Sequence, residues 1–175
     1  GRNPQQLRAM DDLFQGQATT LFSTPYALES VLPTADVLVS GVYVSGARAP
    51  RLITREMVRS MPRGSVLVDV AIDQGGSAET SRPTTHADPV YQEEGVLHYC
   101  VTNMPAAYPA TSTNALTNAT LPYVLAIANR GLCQAVKADP ALAKGVNCYR
   151  GHVTHPGVAA AWDLPHTPLE RLLDC

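Results

Sequence analysis

Residues 35–72 read ADVLVSGVYVSGARAPRLITREMVRSMPRGSVLVDVAI, and this stretch decides the predicted fold. Ala35–Val44 and Gly64–Ile72 are near-continuous apolar runs rich in β-branched residues, a pattern typical of strands that are buried on both faces of a parallel sheet. Between them, the composition of Thr54–Met61 predicts a short helix with Thr54 as its N-cap. A strand, a helix and a strand in this order predict a parallel pair joined by a right-handed crossover.

The flanking sequence extends the same alternation. An amphipathic helix opens the chain, Ala18–Ser23 is predicted to be a strand, and Pro25–Leu32 is predicted to be a short helix with proline in its first turn. Val96–Val101 is predicted to be a further strand. Strands that alternate with helices predict the α/β class, with an open, mostly parallel sheet and flanking helices.

The pattern changes after residue 110. Thr111–Ala138 predicts one long helix, interrupted by Pro122, which removes a backbone hydrogen bond or kinks the helix. Asn147–His155 resembles a small hairpin, and Pro156–Leu164 resembles a short helix. A helix of this length is more than one crossover requires, which indicates a second structural region.

Composition limits the classes of partner. The 175 residues include 13 basic and 15 acidic side chains, so the net charge of -2 offers no basic surface for a nucleic acid or an anionic membrane. No stretch approaches the roughly 20 apolar residues of a membrane span. We therefore expect a soluble, cytoplasmic protein whose partner is a small molecule or another protein subunit.

The cysteines and histidines do not form a recognisable metal motif. The chain has no C-x-x-C pair, which predicts reduced thiols rather than a disulfide framework. His152 and His155 lie close to Cys148 in sequence, but a hairpin and turn would not make them converge as helical ligands do. No metal site is predicted. The four thiols are those of Cys100, Cys133, Cys148 and Cys175.

Three loops follow predicted strands at one edge of the sheet, if the sheet is parallel. They are Gly41–Pro50, Asp73–Gly76 and Thr102–Asn114. In open α/β sheets, ligands bind beyond the carboxyl ends of the strands. The sequence therefore predicts a ligand site at this edge.

Two charged residues, Asp73 in the second loop and Arg82 in the polar stretch SRPTTH that follows it, have alternative interpretations. Asp73 precedes two glycines, so it is either an ordinary turn residue or a carboxylate that acts as acid, base or electrostatic partner. Arg82 could pair with a phosphate or a carboxylate, or could simply be solvated. The sequence contains no G-x-G-x-x-G motif or P-loop, so it lacks the phosphate cradle of a dinucleotide site.

Long segments resemble a known family. They are SGVYVSGARAPRLITREMVRSMPRGSVLVDVAIDQGGSAETSRPTTHADPVY, at 40–91, and VLHYCVTNMPAAYPATSTNALTNATLPYVLAIA, at 96–128. Both resemble the C-terminal half of alanine dehydrogenases, a group that also includes the soluble domain of nicotinamide nucleotide transhydrogenase. The resemblance runs from about Asn3 to Trp162. It implies that 1–110 is the latter part of a Rossmann NAD-binding domain, and that 111–175 is a long helix with the C-terminal part of a substrate domain.

The resemblance implies an activity and a set of site residues. Alanine dehydrogenases oxidise L-alanine with NAD to pyruvate and ammonium, as cytoplasmic homo-oligomers that are often hexameric. Asp73 matches the family's catalytic aspartate beside the nicotinamide. The matching NAD contacts are Ser23, Val42, Tyr43, Val70, Ala71, Ile72, Asp73, Arg82, Val101, Thr102, Asn103 and Met104.

The sequence also departs from the family. The catalytic histidine, the substrate-binding lysine and arginine, and the glycine fingerprint belong to an N-terminal part that this sequence does not contain, so we expect the chain alone to be inactive. The acidic residue that binds the adenosine ribose falls on Gly1, and a nearby basic contact falls on Gln6. Ala126 and Arg130 occupy positions where some members have metal ligands. A non-catalytic nucleotide-binding or oligomerisation module, or a transhydrogenase-like NAD(H) domain, is the alternative.

Overall fold

A computed structural model describes residues 1–44, Gly46 and 48–174. The described residues do not include Ser45 and Ala47 of the predicted loop Gly41–Pro50. They also do not include Cys175, whose thiol is predicted to be reduced. The helices are α1 (Pro4–Phe14), α2 (Pro25–Val31), α3 (Arg55–Ser60), α4 (Pro109–Ala138), α5 (Pro140–Lys144) and α6 (Pro156–Trp162). The strands are β1 (Val37–Ser40), β2 (Val66–Asp69), β3 (Val90–Glu93), β4 (Val96–Tyr99), β5 (Cys148–Tyr149) and β6 (His152–Val153). No described helix is long and apolar enough to cross a membrane.

The chain divides into two compact units. The first unit comprises Gly1–Val42 and Ala49–Thr102, and the second comprises Tyr43–Arg48 and Asn103–Cys175. Each unit is described by itself below.

The first unit contains a four-stranded sheet in the order β1-β2-β4-β3. The pairs β1–β2 and β2–β4 are parallel, and β3 runs antiparallel to β4. The predicted α/β class with a mostly parallel sheet is therefore confirmed. The sequence prediction missed β3, which joins β4 through a tight turn where Glu94 and Gly95 both have positive φ, 52° and 83°.

One face of this sheet forms the core. Leu67 and Val96 on that face are fully buried, together with Val58 of α3. On the opposite face, Val37 and Val39 of β1 are 58% and 63% exposed. The prediction that these strands are buried on both faces is wrong for β1 in the described structure, because only one face of β1 is covered.

The predicted strand at Ala18–Ser23 is not formed. A strand needs a neighbour that satisfies its backbone groups along its length, and among the described residues Gly1 alone pairs with this segment. The Gly1 amino group donates to the Leu21 carbonyl at 2.9 Å, and the Ser23 amide donates to the Gly1 carbonyl at 2.7 Å. This pair of bonds has the pattern of a single parallel bridge, which is too short to define a strand.

The helix α3 begins where the sequence predicts. Thr54 caps it by accepting a hydrogen bond from the Met57 amide at 3.2 Å. Two arginines of α3 then bind the β3–β4 turn: Arg55 contacts Glu93 at 2.6 Å and Glu94 at 2.9 Å, and Arg59 contacts Glu94 at 3.0 Å. These ion pairs join the crossover helix to the hairpin.

Replacing Glu94 by glutamine should remove the acid-sensitive part of this connection. The two guanidinium groups lower the pKa of Glu94 from 4.5 to about 2. Because the folded-state pKa is depressed, the ionised carboxylate stabilises the fold above about pH 4.5, and this contribution disappears as the pH falls toward about 2. Urea unfolding across this range should show the stability of the Glu94→Gln variant converging on that of the unmodified chain at low pH. Glu29→Gln, an exposed change on α2, is the control and should show no convergence.

The second unit contains the long helix. Pro122 removes one backbone hydrogen bond from it, which is one of the two predicted outcomes, and a break that was not predicted lies elsewhere. Pro122 lies inside α4, whereas Gly131 adopts φ 73° and ψ 159°, which interrupts the helix. This conformation is open almost only to glycine, since a Cβ would clash with the backbone. Asn147–His155 forms the predicted hairpin, with β5 antiparallel to β6.

The cysteine prediction is partly wrong. Cys100 is buried and free, and Cys148 is exposed and free. Cys133, however, is disulfide-bonded. Sequence spacing could not exclude this bond, because a disulfide depends on the distance between two Cα atoms in the folded chain and not on their separation in sequence.

Candidate active site

The carboxyl ends of β1, β2 and β4 meet at one edge of the sheet, since these three strands are parallel. The strand β2 ends at Asp69, earlier than the sequence predicts, and a 3₁₀ turn follows over Val70–Gln74. Asp73 is exposed on this turn. The predicted strand-end position of Asp73 is therefore corrected: it lies on a loop beyond the strand end.

Asp69 holds this loop from inside. Its carboxylate is fully buried and accepts hydrogen bonds from the amides of Ala71 at 3.1 Å, Ser77 at 2.7 Å and Ala78 at 3.4 Å. It also accepts from the hydroxyl groups of Ser77 at 3.1 Å and Ser81 at 2.6 Å. These five donors fix both ends of the loop 70–81, which carries Asp73.

Two glycines allow the loop to return toward Asp69. Gly75 and Gly76 both have positive φ, 96° and 80°. A Cβ on Gly76 would lie 2.8 Å from the Ser81 Cβ and 3.2 Å from an Asp69 carboxylate oxygen. Apart from its two chain neighbours, no described residue has an atom within 4 Å of a Cβ placed on Gly75. Gly76 is therefore required both for its backbone conformation and for close packing.

The segment after β1 supports the same loop from outside. The Ala49 amide donates to the Gln74 carbonyl at 2.9 Å, and the Leu52 amide donates to the Ser77 carbonyl at 2.8 Å. The Arg51 guanidinium donates to the carbonyl oxygens of Gly75 and Ala78. The loop is thus held on two sides, which makes its backbone a fixed support for Asp73.

Arg82 is positioned by a residue that the sequence analysis missed. Its guanidinium lies over the ring of Tyr91, with Cζ 3.9 Å from the ring centroid. The Arg82 amide donates to the Tyr91 hydroxyl at 2.9 Å, and that hydroxyl donates to the Thr80 carbonyl at 2.8 Å. Burial and the nearby Cys100 thiol raise the pKa of Tyr91, so the phenol remains protonated and can donate.

Two buried polar residues, His98 and Thr80, lie next to Tyr91. His98 is fully buried and stacks on the Tyr91 ring at 4.9 Å, and its Nε2 lies 2.8 Å from the Thr80 hydroxyl. Burial raises the pKa of the Cys100 thiol, so Cys100 lacks the lowered pKa of a reactive nucleophile. This cluster is suited to holding the Arg82 segment rather than to chemistry.

The other predicted site residues differ in what they can offer a ligand. Ala71, Ile72 and Val101 are buried, so they can contact a ligand chiefly through backbone groups. Val70 is 50% exposed. Ser23, Val42 and Thr102 are half-buried residues of the first unit.

Three predicted contacts belong to the second unit. Tyr43 is 75% exposed, and Met104 is half-buried at the start of a 3₁₀ turn, Met104–Ala107. Asn103 precedes this turn and has φ 52°, a left-handed conformation that asparagine tolerates better than most residues. Their relation to the first unit stays a prediction.

The exposed edge of the first unit can supply an acid–base group and a cation. Asp73 provides a carboxylate on a fixed loop, and Arg82 provides a guanidinium on a packed segment. Among residues 1–44, 46 and 48–174, no group of three or more His, Cys, Asp or Glu side chains could hold a metal ion.

Sequence reasoning missed Asp69, although a signal was present. Asp69 interrupts the apolar run LVDVAI at 67–72, and a carboxylate in such a run must find several donors if it is buried. Tyr91 gave no comparable signal, because its role depends on β3, which was not predicted.

Comparison with known proteins shows which family this sequence and fold match. The sequence profile described as "Alanine dehydrogenase/PNT, C-terminal domain" matches residues 1–156. An alanine dehydrogenase of Methanococcus maripaludis is 53% identical over 173 residues, which are 98% of this chain and 46% of that protein. An alanine dehydrogenase of Staphylococcus haemolyticus is 49% identical over 172 residues, again 98% of this chain and 46% of the relative.

A solved structure named L-alanine dehydrogenase has the same fold. It superposes with a TM-score of 0.80 at 44% identity, and the aligned region covers 93% of this chain and 45% of the chain of that structure. The chain thus spans less than half the length of these relatives.

Proposed function

Because the chain belongs to the alanine dehydrogenase/PNT C-terminal domain family, we propose that it is the C-terminal half of an NAD-dependent L-alanine dehydrogenase. The observation that carries this proposal is the exposed Asp73 carboxylate on a loop that is fixed beyond the carboxyl ends of the parallel strands β1, β2 and β4. Residues 1–110 would form the latter part of the NAD-binding domain, and 111–175 would contribute to the substrate domain. The parent enzyme would be a cytoplasmic homo-oligomer, as the family resemblance implies.

The proposed reaction converts L-alanine, NAD⁺ and water to pyruvate, ammonium, NADH and a proton. NAD⁺, when bound, would supply the acceptor for the hydride that leaves Cα of alanine. Asp73 would then take a proton from the water that attacks the resulting imine carbon. The ammonium leaves as the carbonyl of pyruvate forms. A carboxylate within hydrogen-bond reach of that water can act as the general base of this step.

The residues present fit the nicotinamide end of the cofactor. The exposed carboxylate of Asp73 and the backbone of Val70–Ile72 supply polar groups at the strand edge where nicotinamide rings bind in such sheets. Arg82 supplies a cation that could bind a phosphate or carboxylate. The glycine motif that cradles the pyrophosphate does not occur in this sequence, so we expect the phosphates to depend on another segment.

A polypeptide that joins this chain to the N-terminal half of the Methanococcus maripaludis relative tests the proposal. We call it the joined enzyme. We expect it to convert L-alanine to pyruvate and ammonium in the presence of NAD, and we expect the separate chain to be inactive. Product analysis would detect both compounds. Hydride transfer from NADPH to NAD without alanine would instead favour a transhydrogenase-like domain.

The second candidate is a non-catalytic module for nucleotide binding or oligomerisation. The observation that favours it is the exposed apolar face of β1, since exposed apolar patches often mark interaction surfaces. A well-folded joined enzyme that binds NADH but produces no pyruvate would support this alternative.

A further inference from the structure

The buried Asp69 carboxylate takes no part in the proposed reaction, yet its contacts converge on the loop that carries Asp73. Its Oδ1 accepts from the Ala71 amide, two residues before Asp73, and its Oδ2 accepts from the Ser77 amide and the Ser81 hydroxyl beyond Asp73. The donors are neutral groups of the loop itself. One side chain therefore joins the entry and the exit of the loop.

The position of Asp73 depends on this backbone. The turn is closed by hydrogen bonds from the Gly75 amide to the Ile72 carbonyl at 2.9 Å and from the Gly76 amide to the Ala71 carbonyl at 3.1 Å. Ala71 and Ile72 are buried beneath the turn, whereas Asp73 is exposed at its apex. The backbone of the turn therefore sets the position of the Asp73 Cα, from which the carboxylate extends.

An ionised carboxylate suits this position because it accepts on both oxygens and donates on neither. An amide at the same place would present N–H groups to some of the amide and hydroxyl donors that now face Asp69. Those donors would lose their acceptor inside the protein, which is costly for buried polar groups. The chemistry of the five donors therefore selects a carboxylate.

We propose that Asp69 is a positioning residue for alanine oxidation, which fixes the catalytic Asp73 by binding both ends of its loop. This inference rests on the proposed function of Asp73. Asp69 would act only through the loop, since its own carboxylate is fully buried.

The test uses the joined enzyme with Ser81→Ala, which removes one hydroxyl donor of Asp69, and with Asp69→Asn. The matched control is Ser65→Ala, because Ser65 is also a buried serine of the first unit and its hydroxyl has no hydrogen-bond partner in the described structure. We expect kcat to fall about tenfold in Ser81→Ala and about 100-fold in Asp69→Asn, since small displacements of a reacting group have effects of this size. The KM for L-alanine should not change, and Ser65→Ala should match the unmodified enzyme.

A second readout separates this inference from the proposed function. Hydrogen exchange in the chain and in the joined enzyme should show faster exchange of the Ala71 and Ser77 amides in Ser81→Ala, with the core strand amide of Leu67 unchanged. Unchanged kcat and exchange in Ser81→Ala and Asp69→Asn would overturn the positioning role. A loss of kcat with equal acceleration at Leu67 would also overturn it, since that pattern is general destabilisation. A folded but inactive unmodified joined enzyme would refute the proposed function, whereas the exchange result would still test the support of the loop.

Discussion

Replacing Asp73 by asparagine in the joined enzyme should lower kcat for alanine oxidation by about 10²- to 10⁴-fold, the range typical for removal of a general acid or base. The amide cannot take a proton from the water that attacks the imine. Because the loop that carries Asp73 is held by backbone bonds and by Asp69, the variant should remain folded. Steady-state kinetics and thermal unfolding of the same preparations test both expectations.

The control for this variant is Asp88→Asn, another exposed aspartate of the first unit. It should retain the activity of the unmodified joined enzyme. If Asp73→Asn were as active as Asp88→Asn, Asp73 would be an ordinary turn residue, which is the alternative that the sequence left open.

Replacing Gly76 by alanine should have the largest effect on stability. Its φ of 80° is unfavourable for an L-residue, which costs roughly 1–2 kcal/mol. The new methyl group would also lie 2.8 Å from the Ser81 Cβ, and overpacking of this kind costs roughly 1–3 kcal/mol. We therefore expect the free energy of unfolding to fall by about 2–5 kcal/mol, as measured by urea denaturation.

Gly75→Ala separates the two contributions. Gly75 shares the positive φ, but in the described part of the chain nothing beyond its two neighbours in sequence lies within 4 Å of a Cβ at this position. Its substitution should cost only about 1–2 kcal/mol. Equal losses in the two variants would show that the contact with Ser81 and Asp69 does not constrain the loop.

The central elements of the fold could be predicted from the sequence. The apolar runs that contain β1 and β2, and the threonine cap of α3, are local patterns that the tertiary structure preserves. The segment Ala18–Ser23 has a strand-like composition, but it forms no strand because a strand also requires a neighbour. The strand β3 was missed because its sequence has no apolar run. Its residues differ in burial only once the Glu94–Gly95 turn has paired it with β4.

The candidate site was predictable only in part. Asp73 stood out because a carboxylate and two glycines follow an apolar run. The network around Asp69 was not predictable, since it depends on Ser77 and Ser81 returning to the end of β2 through the two glycines. The contact of Arg82 with Tyr91 was not predictable either, because Tyr91 is placed by the pairing of β3 with β4.

The initial rate of NADH formation by the joined enzyme, with L-alanine and NAD, tests the central claim most directly. We predict a rate that requires both compounds, that is absent from this chain alone, and that falls by about 10²- to 10⁴-fold on Asp73→Asn. A folded joined enzyme that forms no NADH from L-alanine, or a separate chain that turns it over unaided, would contradict the account.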